Sequence, residues 1–252
     1  MINDDLGSIV ARTVTHTVLT LALYAFGIVL IGLALYPPAR LCAAAWAATR
    51  GLPLSLSLLW LSLAAAAGYF AFGLSLLVLA GAVSIALGLR LKPGVYPLAS
   101  WGAVRWFVAN ALVSVVSILF GRFILLTPFA SLFYRLMGAK LGGNVQINSD
   151  FCADLSLLEI GHGAVIGGHA TVIGHVFKRN SLVLKPVKIG NHAVIGLNAI
   201  VLPGAVIGDG AIIAAGVTVP MDTHVPPRTV YAGPPAKPEH VPPHDAVEQQ
   251  DG

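Results

Sequence analysis

From Ile189 the chain reads IGNHAV, IGLNAI, VLPGAV, IGDGAI, IAAGVT, VPMDTH and VPPRTV, seven successive hexads that each open on Ile or Val. Their fifth position is small or β-branched throughout, at Ala193, Ala199, Ala205, Ala211, Val217, Thr223 and Thr229. A looser set precedes them: LGGNVQ from Leu141, INSDFC from Ile147, IGHGAV from Ile160, IGGHAT from Ile166 and VIGHVF from Val172. A period of six fits neither the 3.6 of a helix nor the simple alternation of a strand. It predicts a coil of short strands, each hexad forming one flat side with its leading aliphatic turned inward. Glycine and small residues take the corners, where a bulky side chain would collide or force an unfavourable φ. Three sides close a turn, and stacked turns bury a column of Ile and Val about 4.8 Å apart.

The first half follows a different rule. Only 10% of the chain is charged, against about 25% in an ordinary soluble protein, and 56% is apolar. After Asp4 and Asp5 no acidic residue occurs before Asp150, whereas Arg12, Arg40, Arg50, Arg90, Lys92, Arg105, Arg122, Arg135 and Lys140 all do. An apolar and basic half suits anionic lipid headgroups better than a nucleic-acid duplex, and no nucleic-acid partner is expected. Val18 to Tyr36 is nineteen uncharged residues closed by Pro37 and Pro38, long enough to cross about 30 Å of hydrocarbon. No short apolar core with a small-residue cleavage site precedes it, which disfavours a removed signal peptide. Gly51 to Leu89 is a second uncharged stretch, readable as one long helix or as two that turn near Gly68 and Gly73. The excess of basic residues after it favours two crossings with both ends cytoplasmic. From Trp101 to Leu136, apolar runs broken by Arg105, Arg122 and Arg135 beside Trp101 and Trp106 read as amphipathic helices lying in the interface. A third crossing from Trp106 to Phe120 is the alternative, short for a span at fifteen residues.

Chemistry is expected where the coil is interrupted, by KRNSLVLKPVK between Phe177 and Ile189. His175 stands immediately before that loop. An imidazole with its ordinary pKa near 6.5 can take a proton from a hydroxyl or amine attacking a thioester, then return it to the leaving thiolate. A carboxylate that fixes the tautomer would come from Asp154 or Glu159, the nearest upstream acids able to lie one turn below. His162, His169 and His192 also sit at turn positions, where a corner histidine satisfied by backbone carbonyls is the plain reading. Lys185, Lys188, Arg228 and Lys237 put positive charge on an otherwise nearly neutral region, suited to a phosphorylated nucleotide such as coenzyme A. Cys42 and Cys152, the only thiols, imply neither a disulfide framework nor a zinc site.

PVKIGNHAVIGLNAIVLPGAVIGDGAIIAAGVTV followed by VPPRTVYAGPPAK resembles the hexapeptide-repeat acyltransferases, which form left-handed parallel β-helices; the match spans Gly138 to Lys237. The ending is similar to the family's Gly-Asn-Pro-Ala-Lys, with Pro234 in place of Asn. KPGVYPLASWGAVRWF and LLTPFASLFYRLMGAKLG resemble a membrane-attached subgroup related to C-terminal regions of nonribosomal peptide synthetases of the polylysine type. The resemblance implies a catalytic His just before an excursion ending in Lys-Pro-Val-x-Ile-Gly, which KPVKIG at 185–190 supplies, so His175 is the expected base. It implies a pantetheine arm along the corners Gly196 to Ala199 and Ala214 to Gly216, with Gly196, Asn198, Ala199, Ala215 and Gly216 as donor-binding residues. It also implies a homotrimer with active sites between neighbouring coils. Two departures stand out. Lys178 follows His-x-Phe where relatives often carry an acid, and Val194 stands where sugar acetyltransferases often have Trp, which disfavours a simple sugar acceptor. The related gamma carbonic anhydrases bind zinc through a His pair separated by four residues; this chain lacks that spacing, and no metal is expected.

The reading is therefore transmembrane helices over 1–99, interfacial helices over 100–137, a left-handed β-helix over 138–237 and a flexible polar tail over 238–252. The expected function is acyl transfer, from acetyl-CoA or another acyl-CoA, to a hydroxyl or amine of a membrane-associated or lipid-linked acceptor. The expected setting is a bacterial inner membrane with the β-helix on its cytoplasmic face. Peptidyl or aminoacyl transfer from a carrier-bound thioester, and a noncatalytic or metal-binding scaffold, are the competing readings.

Overall fold

The computed structural model describes residues 2–233. Helix α1 (Ile2–Ala48) and helix α2 (Leu54–Ala86) form a long antiparallel hairpin. Pro37 and Pro38 do not end α1 as expected; it runs through them for another three turns. The lost backbone bonds are compatible with that continuation because the helix leans on α2 there, Pro38 packing into the notch left by Gly68. Of the two readings of the second uncharged stretch, the structure shows the single long helix and no turn at Gly68 or Gly73. Helix α2 is unbroken, and its glycines are notches: a Cβ on Gly73 would overlap the Phe120 ring, and one on Gly81 would press on Leu136.

Strand β1 (Gly94–Pro97) follows, then a helix capped by the Ser100 hydroxyl. That helix comprises α3 (Trp101–Val116), a π-helical turn (Ser117–Gly121) and α4 (Arg122–Ile124). The Tyr69 hydroxyl donates to the Leu119 carbonyl at 2.8 Å, supplying a partner within the turn where helical hydrogen bonding is irregular. Among the described residues, three helices are long and apolar enough to cross a membrane by length and composition: Thr20–Ala48, Leu54–Ala86 and Trp101–Ile124. The third lies in the stretch read as interfacial.

Helix α5 (Pro128–Leu136), started by Pro128 and capped by Thr127, is the floor on which the repeat half stands. Its Ala130, Phe133 and Tyr134 are buried, Leu126 N donates to Ile147 O, and Arg135 donates to the Gly142 carbonyl at 2.9 Å.

The repeat half is a parallel β-helix of triangular section. Its first wall stacks β2 (Lys140–Leu141), β4 (Leu158–Ile160), β9 (Val187–Ile189), β12 (Val206–Ile207) and β15 (His224–Val225). The second stacks β3 (Gln146–Ile147), β5 (Val165–Ile166), β10 (Val194–Ile195), β13 (Ile212–Ile213) and β16 (Val230–Tyr231). The third stacks β6 (Thr171–Val172), β11 (Ile200–Val201) and β14 (Thr218–Val219). The hexad-opening residues Ile166, Ile189, Ile195, Val201, Ile207, Ile213, Val219 and Val225 are all buried, each contributing about 1.5–3 kcal/mol. Corners are tight enough to require glycine: a Cβ on Gly161 would lie 2.5 Å from Asn191 N, and one on Gly196 would lie 2.6 Å from Ala215 N.

Between the third wall and the first the coil is interrupted by a hairpin, β7 (His175–Lys178) and β8 (Ser181–Leu184), turned through Arg179 and Asn180. Strand β1 pairs with the outer edge of β8, Gly94 opposite Leu184 and Pro97 opposite Ser181. The expected loop is thus a three-stranded antiparallel sheet tied to the helical half.

Candidate active site

His175 is the first residue of β7, at the corner where the chain leaves the third wall. Asp154 sits at the same corner one coil lower, in a left-handed backbone conformation (φ 55°) with its side chain fully enclosed. The two meet: Asp154 Oδ2 lies 2.6 Å from His175 Nδ1 and also accepts from Gly174 N at 2.9 Å. Asp154 Oδ1 accepts from Trp106 Nε1 at 2.6 Å and from Asn110 Nδ2 at 2.9 Å. Asn110 Oδ1 in turn accepts from Asp154 N at 3.0 Å. An ionised carboxylate has about four lone-pair sites and no donor, and here each oxygen receives two donors. Nδ1 of His175 therefore carries the proton, and Nε2 holds the free lone pair.

The ring is wedged among aromatics, Trp106 at 4.8 Å and Phe177 at 5.8 Å between centroids. It lines a cleft of about 370 Å³ between the prism and α3. Trp106, Asn110, Ser114 and Ser117 form one helical face of that cleft, and Phe151 and Ala153 lie across it. Cys152 also lines it, but the thiol is poorly suited to attack: burial pushes its pKa up to about 11, keeping it protonated at neutral pH. Burial, with Cys152 alongside, also raises the Tyr134 hydroxyl.

Glu159, the other acid considered for His175, faces elsewhere. A hydrogen bond from Lys140 at 2.7 Å, with Lys188 3.8 Å away, holds its carboxyl below the usual range.

The residues expected to bind a donor lie at several corners. Lys185 follows β8 at the His175 corner and pairs with Asp222 at 2.5 Å. Gly196, Asn198, Ala199, Ala215 and Gly216 do come together, stacked at the corner between second and third walls, with Gly216 N donating to Leu197 O. Ala199 is wholly enclosed in the prism, so its side chain cannot touch a ligand on the surface. Lys188 points out from the first wall, and Arg228 lies at the corner between first and second walls. Lys237 lies outside the described residues, as does the tail expected over 238–252. His162 and His192 meet edge to face at the corner shared by first and second walls, 5.4 Å between centroids, and His169 packs against Phe151. Among the described residues no group of three or more His, Cys, Asp and Glu could hold a metal ion.

Sequence reasoning missed Trp106 and Asn110 as parts of this site. Trp106 was read as an interfacial aromatic. Asn110 carried a usable signal, a lone amide in an apolar helix, where polar groups usually face a partner.

Residues 186–220 match the family model described as the hexapeptide repeat of succinyl-transferase. No curated protein sequence matches the chain. Among solved structures, a hexapeptide-repeat-containing acetyltransferase from Vibrio cholerae in complex with acetyl coenzyme A is 18% identical, covering 59% of this chain and 92% of its own, with a TM-score of 0.44. A maltose O-acetyltransferase from Clostridium difficile is 18% identical over 56% and 88%, with a TM-score of 0.38. A galactoside acetyltransferase in complex with coenzyme A is 17% identical over 59% and 84%, with a TM-score of 0.39.

Proposed function

We propose that this chain is a membrane-bound acyltransferase that moves an acetyl or other acyl group from acyl-CoA to a hydroxyl or amine of a membrane-associated acceptor. The observation that carries the reading is the His175–Asp154 pair opening on a cleft whose other side is α3, an apolar helix packed between the prism and α2, and α2 is long and apolar enough to cross a bilayer. His175 Nε2 takes the proton from the acceptor O–H or N–H as that atom bonds to the thioester carbonyl carbon. The negative charge that develops on the carbonyl oxygen is lost when the C–S bond breaks and the proton passes from Nε2 to the departing sulfur. Asp154 holds the ring and offsets the imidazolium charge while the proton resides there.

The acceptor side is supported by the cleft's lining. Two serine hydroxyls sit among Val113, Ile118 and Phe151, which suits an amphipathic molecule better than a polyhydroxylated sugar. For the donor, Lys185 offers charge at the same corner, and the small-residue column from Gly196 to Gly216 offers a track for pantetheine. The second wall carries an outward aliphatic ladder of Val165, Val194, Ile212 and Val230, the last 68% exposed. Such a face suits self-association, and we read the assembly as a homotrimer with sites between neighbouring coils. We read the long apolar helices as anchoring the chain in a bacterial inner membrane, with the prism on the cytoplasmic side where acyl-CoA is available.

The test uses the full chain in lipid nanodiscs with acetyl-CoA and a lipid extract, following coenzyme A release and label transfer to lipid. Transfer lost in His175→Ala, with coenzyme A still raising the melting temperature of that variant, is the expected result. Absence of both thermal stabilisation by coenzyme A and label transfer in the unaltered protein would refute the proposal.

A further inference from the structure

The prism satisfies only half of Asp154. Its own groups, Gly174 N and His175 Nδ1, both reach Oδ2. Oδ1, on the same enclosed side chain, depends on Trp106 Nε1 and Asn110 Nδ2, which lie more than forty residues earlier on α3. A buried charge left with open lone pairs is strongly disfavoured. Asn110 does more than donate. By accepting from Asp154 N it closes a two-bond ring around one residue, fixing the main chain and the carboxylate together. That main chain is left-handed at a residue other than glycine, a conformation that needs external support. Trp106 reaches the pair twice, through its N–H to the carboxylate and through its ring edge on His175. Asn110 Nδ2 also bonds the Trp106 carbonyl at 3.1 Å, so the two are one helical turn acting together.

We infer that Trp106 and Asn110 are positioning residues for the His175–Asp154 pair, so that the base is correctly set only while α3 is docked on the prism. This rests on His175 being the general base. A role limited to gluing helix to prism would be met by shape alone; three bonds from α3 converging on one carboxylate and its backbone fix an orientation instead.

The experiment compares Trp106→Phe, Asn110→Ala and Asp154→Asn with the unaltered full-length protein in nanodiscs. Trp106→Phe keeps an aromatic ring and removes the N–H, so it probes the bond apart from the packing. Two quantities are read: the rate of His175 carbethoxylation by diethyl pyrocarbonate, with His162 and His192 as internal standards, and kcat and KM with acetyl-CoA. In Trp106→Phe and Asn110→Ala we expect His175 to react at least threefold faster while the two standards hold. We also expect kcat to fall tenfold or more, with KM for the donor within twofold. His175 reactivity and kcat both within twofold of the unaltered protein would overturn the inference, as would changes shared by His162 and His192, which would mean general loosening. If Asp154→Asn also leaves His175 reactivity and turnover unchanged, the general-base reading itself fails, an outcome distinct from failure of the α3 residues alone.

Discussion

Replacing Asp154 with Asn changes one atom and should stop transfer without dismantling the corner. In the native arrangement one oxygen accepts from Trp106 and Asn110, and the other accepts from Gly174 N and His175 Nδ1 at 2.9 and 2.6 Å. An amide keeps one oxygen and turns the other position into a donor. If the oxygen stays with Trp106 and Asn110, the new N–H₂ faces the Gly174 N–H and forces Nδ1 to become an acceptor, which moves the imidazole proton to Nε2. The nitrogen assigned as the base is then occupied. If the amide flips, its N–H₂ opposes two side-chain donors instead, an equally poor fit. The same exchange in Ser-His-Asp sites costs about 10⁴-fold by imposing the wrong tautomer, and a positioned base is worth about 10²–10⁴. We therefore expect kcat to fall by about 10²–10⁴, or roughly 2.7–5.4 kcal/mol of barrier, with KM for acetyl-CoA little changed. Single-turnover label transfer in nanodiscs measures this directly. A variant that keeps more than a tenth of the native rate would refute the reasoning from tautomer to turnover.

Cys152 gives a pH prediction. Burial raises its folded pKa to about 11, from an ordinary thiol value of 9.0, so its contribution to stability is complete below pH 9 and is lost as pH rises towards 11, by about 2–3 kcal/mol. Melting temperatures across that range should fall less steeply in Cys152→Ala than in the native protein. Gly196→Val places a side chain against Ala215 N and should destabilise the coil by several kcal/mol, read as a lowered urea midpoint for loss of β signal. Gly73→Val meets the Phe120 ring and should undock α3 from α2, lowering transfer in proportion to the loss of helix packing seen by limited proteolysis.

The prism was legible because its rule is local: a six-residue period with inward aliphatics can be read from any short window. His175 was legible as a residue beside an interruption of that period. Asp154 was not separable from Glu159, and the reason is geometric. Regular stacked residues such as Ile195 and Ile213 are eighteen positions apart, but Ile147 and Ile166 are nineteen apart. The 3₁₀ turn at Leu155–Leu157 lies in the same irregular coil. Counting eighteen back from His175 lands on Leu157, between the two acids. The β1–β8 pairing and the Trp106–Asn110 clamp join segments far apart in the chain, where no periodicity reports them. Gly68 and Gly73 left a turn open as the alternative because glycine serves turns and close helix contacts alike, and only the neighbour distinguishes the two.

The pairing of β1 with β8 has a bearing on assembly. During synthesis β1 emerges flanked by α2 and α3 and must wait for more than eighty residues before its partner exists. By then the floor helix and the lowest coils are available, so the hairpin is received onto an edge already held by the helical half. The corner holding His175 and Asp154 is thus completed only by chains whose two halves have found each other, and a prism built without its helices would lack both the edge strand and half the ligature of its acid.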